Sequence, residues 1–131
     1  MSNIDLPKLK TIYPGSYSFK RVKSFVIEDL PLLEVMKIGS YSFFDSTSYQ
    51  KSGSEFKIEN CPSLVTITAY SEAFRDFQKL TLTNLTSLQS ITTNQYSFYL
   101  LSSFEFSGKN CMKQFIIVRP AFVTNFEFRP V

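Results

Sequence analysis

The chain has 131 residues, 44% of them hydrophobic, and a net charge of +3 from 14 basic and 11 acidic side chains. Those figures fit one folded domain, and the scattered, nearly balanced charge argues against a nucleic-acid partner. There is no His, so the usual general base near neutral pH is absent and no enzyme, metal site or cofactor is expected.

Taken from the amino terminus, Met1 to Asp5 shows neither the basic region nor the apolar run of a secretory leader. The chain then enters the motif Leu6-Pro7-x-Leu9-x-x-Ile12, which returns as Leu30-Pro31-x-Leu33-x-x-Met36, Cys61-Pro62-x-Leu64-x-x-Ile67 and Leu85-x-x-Leu88-x-x-Ile91. The steps from Leu6 to Leu30, from Cys61 to Leu85 and from Leu88 to Met112 are each 24 residues. A fixed period of this size predicts a solenoid, in which each coil buries its apolar residues only against its neighbours. Coils are expected near 6–29, 30–60, 61–84, 85–108 and 109–131. Asp5 aligns with Asp29, so the chain begins as if within a coil and without an evident cap. This predicts either a segment of a longer protein or a small protein whose ends are covered by end-to-end self-association.

Within each coil, Lys23 to Ile27, Glu55 to Ile58, Lys79 to Leu82 and Ser103 to Phe106 alternate apolar and polar residues with period two. That is the pattern of a strand with one buried face, and like strands in successive coils would run parallel. The stretches ending at Ile12, Met36, Ile67 and Ile91 space their apolar residues by three, which leaves short strand, turn and 3₁₀ helix open. One corner is marked by Asp29, Asn60, Asn84 and Gly108, turn-forming residue types. A second lies at Gly15-Ser16-Tyr17-Ser18-Phe19 and Gly39-Ser40-Tyr41-Ser42-Phe43, echoed by Gln95-Tyr96-Ser97-Phe98 and, more weakly, by Ser71-Glu72-Ala73-Phe74. The polar run 45–54 reads as a loop inserted in the second coil, and its Tyr49 and Lys51 are candidate contact residues, since long insertions are often functional.

Outward residues of the first strand column would form a ribbon across the coils. They are Val26, Lys57, Thr81, Glu105 and Glu127, flanked by Ser24, Glu55, Lys79 and Ser103. The ribbon is mixed in charge and holds no aromatic cluster, so it does not read as a single-strand nucleic-acid platform. Asn84-Leu85-Thr86 fits the N-glycosylation sequon, although Asn84 is already accounted for as a corner residue. Cys61 falls in the column of Leu6, Leu30 and Leu85 and reads as a small buried hydrophobe. Cys111 lies two coils on, about 10 Å away, beyond the roughly 7 Å Cα limit for a disulfide.

The repeating unit (L/C)-P-x-L-x-x-I, then G-S-Y-S-F, then F-x-I-x-(D/N), resembles the BspA-type leucine-rich repeats, and the resemblance covers Leu6 to about Phe128. It implies a mainly β, right-handed leucine-rich solenoid of about five coils, with a parallel sheet on one face. It also implies a protein or cell-surface ligand, and a place at the cell surface or outside the cell if the chain is part of a longer one. Without such a longer chain, a soluble intracellular protein is the expectation. Lys109, Met112, Phe115 and Pro120 depart from the unit, so the last coil is expected to be degenerate or a cap. The expected function is a non-enzymatic protein-interaction module, with a structural spacer in a longer repeat protein as the alternative.

Overall fold

The computed structural model describes residues 8–44, 53–94, 96–99 and 101–107, and the backbone of strand 114–117. The protein is mainly β, with two parallel sheets and no helix among the described residues. The strands are β1 (Thr11–Ile12), β2 (Ser24–Glu28), β3 (Val35–Ile38), β4 (Glu55–Glu59), β5 (Thr66–Ala69), β6 (Lys79–Thr83), β7 (Ser90–Thr93), β8 (Ser103–Ser107) and β9 (Gln114–Ile117). Odd-numbered strands form one sheet in the order β1-β3-β5-β7-β9, and even-numbered strands form the other in the order β2-β4-β6-β8. Each pass of the chain therefore adds one strand to each sheet, which is a solenoid-like arrangement.

The even sheet follows from the period-two pattern. Register places Phe25, Phe56, Leu80 and Phe104 in one inward column and Ile27, Ile58, Leu82 and Phe106 in the next. The odd face, left open between strand and turn by its spacing, is strand throughout. Met36, Ile67, Ile91 and Phe115 align in one column, and Ile38, Ala69, Thr93 and Ile117 in another. Phe115 thus keeps register although its residue type departs from the unit. The core between the sheets is continuous, and Leu30, Cys61 and Leu85 fill one of its columns without solvent exposure. Burial pushes the Cys61 thiol pKa up, and its Sγ–H donates to the Glu59 carbonyl at 3.5 Å. Cys111 lies outside the described residues.

The corners carry backbone geometry that side-chain patterns only partly foreshadow. At the first, Asp29, Asn60 and Asn84 adopt φ of 58°, 55° and 55°, the left-handed region these residue types tolerate. Gly108 of the same expected series is outside the described residues. At the second, the left-handed residues are not the glycines but bulkier side chains in alternate positions: Tyr17 and Phe19, Tyr41 and Phe43, Glu72 and Phe74, Tyr96 and Phe98. Such conformations cost about 1–3 kcal/mol each and persist only where the surroundings over-determine them. Here bonds between passes do so: Phe43, Phe74 and Phe98 N–H donate to Ser18, Ser42 and Ala73 carbonyls at 2.8, 2.9 and 3.1 Å. The same turn sets the phenylalanines in a stack, with ring centroids 5.1 Å apart for Phe19 and Phe43, 4.3 Å for Phe43 and Phe74, and 5.1 Å for Phe74 and Phe98.

Candidate functional site

Parallel pairing assembles the expected ribbon on the outer face of the even sheet. Val26, Lys57, Thr81 and Glu105 lie side by side, and Ser24, Glu55, Lys79 and Ser103 form the neighbouring column. Glu127, Tyr49 and Lys51 lie outside the described residues. Much of the ribbon's charge is paired within it. Lys79 Nζ sits 3.9 Å from Glu55 Oε2 and 3.4 Å from Glu105 Oε1, while Lys57 pairs with Glu59 of the same strand at 3.4 Å. Thr81 Oγ1 donates to Glu55 Oε2 at 2.6 Å, and these neighbours leave Thr81 only 7% exposed. The ribbon is unevenly accessible: Glu105 is exposed although paired with Lys79, whereas Thr81 is covered, its hydroxyl bonded to Glu55.

The ribbon ends at the first corner, where the side chains form a polar ladder. Asn60 Nδ2 donates to Asp29 Oδ1 at 3.2 Å, and Asn84 Nδ2 donates to Asn60 Oδ1 at 3.0 Å. Backbone bonds run alongside, from Asp29, Asn60 and Asn84 N–H to the Glu59, Thr83 and Ser107 carbonyls. Pro31, Pro62 and Thr86 stand beside this ladder and close an open depression of about 420 Å³. The sequon's acceptor amide is thus also a ladder donor, and Leu85 of the sequon is fully buried.

A third surface, at the second corner, was not expected as a site. Tyr17 and Tyr41 stack at 5.1 Å with their planes 2° apart, and with Lys20 and Phe44 they line a depression of about 180 Å³. One pass further on, the Tyr is replaced by Glu72, which holds Arg75 at 3.0 Å. The Arg75 guanidinium lies 5.4 Å from the Phe44 ring on one side and 5.5 and 5.3 Å from Tyr96 and Tyr99 on the other, within cation–π range. The recurrence of Tyr at 17, 41 and 96 was the available signal. A tyrosine in a turn motif is ambiguous in sequence, because Tyr17 and Phe43 both have left-handed backbone and only their different places in the turn put one outward and the other in the core.

Among the described residues no cluster of His, Cys, Asp and Glu is arranged to hold a metal ion, and no helix is long and apolar enough to cross a membrane. The fold and these surfaces define a class: a parallel-β, solenoid-like repeat protein with extended outer faces. Comparison of the chain with protein-family models, curated proteins and solved structures found no match.

Proposed function

We propose that the chain is a non-enzymatic protein-interaction module whose coils, about five, wind as a right-handed leucine-rich solenoid. By its resemblance to BspA-type repeats we place it in a surface or adhesion protein. The observation that carries the reading is the parallel register: it turns residues about 24 to 31 positions apart in sequence into one continuous mixed-charge ribbon four strands wide. The polar ladder and depression at its end extend the same surface. A protein partner or cell-surface ligand suits such a face better than a small substrate, which would take a deeper, more enclosed pocket.

A second reading is a structural spacer, favoured by the way Lys79 is already shared between Glu55 and Glu105. An alanine series over Val26, Lys57, Lys79 and Glu105 separates the two. Loss of a retained partner with the unfolding midpoint unchanged supports the module. A series in which no variant alters any association supports the spacer. Labelling of intact, unpermeabilised cells with an antibody to the chain tests the surface location, and labelling only after permeabilisation rejects it.

A further inference from the structure

The corner that carries the polar ladder is built alike in three passes, with one exchange of residue type. Asp29, Asn60 and Asn84 hold the left-handed position, and a tight turn begins two residues later at Pro31, Pro62 and Thr86. The turn closes in the same way each time: Leu33, Leu64 and Leu88 N–H donate to the Leu30, Cys61 and Leu85 carbonyls at 3.4, 3.2 and 3.3 Å. Proline suits that place because its ring presets the backbone angle. Thr86 gives up this advantage and leaves the turn unchanged, so backbone geometry does not account for the exchange. What the exchange adds is a hydroxyl two residues after an Asn amide. Asn60-Cys61-Pro62 lacks the hydroxyl of a glycan acceptor, and Asn84-Leu85-Thr86 is the one Asn-x-Ser/Thr triplet in the chain.

The fold also gives this triplet an open setting. Thr86 is exposed and Asn84 half-buried, and both line the depression of about 420 Å³ that Pro31 and Pro62 line as well. We propose that Asn84 is an N-glycosylation site whose first sugar lies in this depression, its apolar face against the proline rings. In the transfer, Asn84 Nδ2 forms a bond to C1 of a sugar carried on a lipid diphosphate. The C1–O bond to the diphosphate breaks, and one amide hydrogen leaves as a proton. The other hydrogen stays on Nδ2, so the amide carries the sugar and still donates to Asn60 Oδ1. Leu85, between acceptor and hydroxyl, is fully buried in the folded protein, so the sugar is added before this pass docks on its neighbours. The proposal rests on the surface-protein reading, because the chain meets the sugar donor in the secretory pathway.

The full chain made in yeast behind a cleavable secretory leader tests this, with the same chain made in bacteria as its unglycosylated counterpart. The yeast protein is expected to exceed 15.1 kDa by a single glycan, which peptide mapping places on Asn84. Thr86→Val keeps the Asn84 amide and abolishes the added mass. Endoglycosidase H then trims the glycan to its first sugar, and the urea midpoint of the trimmed protein should equal or exceed that of the bacterial one. An unmodified Asn84 in yeast protein recovered from the medium or from the secretory lumen overturns the proposal. A trimmed protein with a lower midpoint than the bacterial one also overturns it, since the sugar would then break the ladder rather than fit beside it. The leader supplies entry to the pathway, so a failure at Asn84 is distinct from a failure of the surface reading, which shows as labelling only after permeabilisation.

Discussion

Asn84 Nδ2 donates to Asn60 Oδ1 at 3.0 Å, although 24 positions separate the two residues in sequence. Asn60 passes the pattern on by donating to Asp29 Oδ1 at 3.2 Å, so one side chain joins three passes while its own backbone sits at φ 55°. Asn60→Ala removes both bonds and puts a β-carbon with no compensating amide in a left-handed turn. The expected loss is about 2–3 kcal/mol of unfolding free energy. Asn60→Gly relieves the backbone but not the ladder, and should lose about half as much by the same urea titration.

Gly39 and Gly15 occupy the same motif position but different surroundings. A β-carbon on Gly39 would lie 2.6 Å from Ser16 N, 2.7 Å from Gly15 C and 2.9 Å from Pro14 O, all backbone of the preceding turn. A β-carbon on Gly15 would meet nothing within 4 Å. Gly39→Ala is therefore expected to destabilise by about 1–3 kcal/mol through forced separation of two turns. Gly15→Ala should lie within about 0.5 kcal/mol of the parent. Equal thermal midpoints for the two variants would show that the turns do not approach so closely.

Phe74 has neighbours at 4.3 Å from Phe43, 4.5 Å from Phe56 and 5.1 Å from Phe98, and it is fully buried. Phe74→Ala should cost about 3–5 kcal/mol in chemical unfolding, the sum of lost burial and the cavity left behind. Phe19→Ala, at the exposed end of the same stack, should cost clearly less than that. A similar loss at both positions would mean that the stack is not the stabilising element.

Arg75 fills the gap between rings of adjoining passes and is the partner seen for Glu72, a residue 9% exposed. Arg75→Ala removes the stacked guanidinium and leaves that carboxylate without its charge partner, with an expected loss of about 1–3 kcal/mol. Arg75→Lys restores the charge but not the planar stacking, and should recover only part of the loss.

The Cys61 thiol has its pKa raised first by burial, with a smaller push from the Asp29 charge against a lowering bond at Leu30. A thiol whose folded pKa exceeds its unfolded one contributes stability below the unfolded value and loses it as pH rises through the folded one. Unfolding free energy of the parent should therefore fall faster above pH 9.0, the ordinary thiol value, than that of Cys61→Ala. Alkylation of Cys61 at pH 8, followed by peptide mapping so that Cys111 is read separately, should be slow in the native protein and fast in urea. Rapid native alkylation of Cys61 at that pH would contradict its burial.

The repeated Leu-Pro and Phe positions were enough, by themselves, to place the even strands and their inward columns. A side-chain period of two has only one way to bury Phe25 with Ile27 and Phe56 with Ile58. Asp29, Asn60 and Asn84 announced the first corner because few residue types bear a left-handed backbone. The odd strands were not decidable from spacing, since Leu33 and Met36 serve equally a strand entrance and a helical turn; parallel pairing with the neighbouring passes settled them. The residues placed Tyr17, Tyr41 and Tyr96 at one corner, but they did not reveal that Arg75 lies against the Phe44, Tyr96 and Tyr99 rings, or that Lys79 is shared between Glu55 and Glu105. Those contacts join positions at least about 20 residues apart, and only the stacking of one pass on the next brings them within reach.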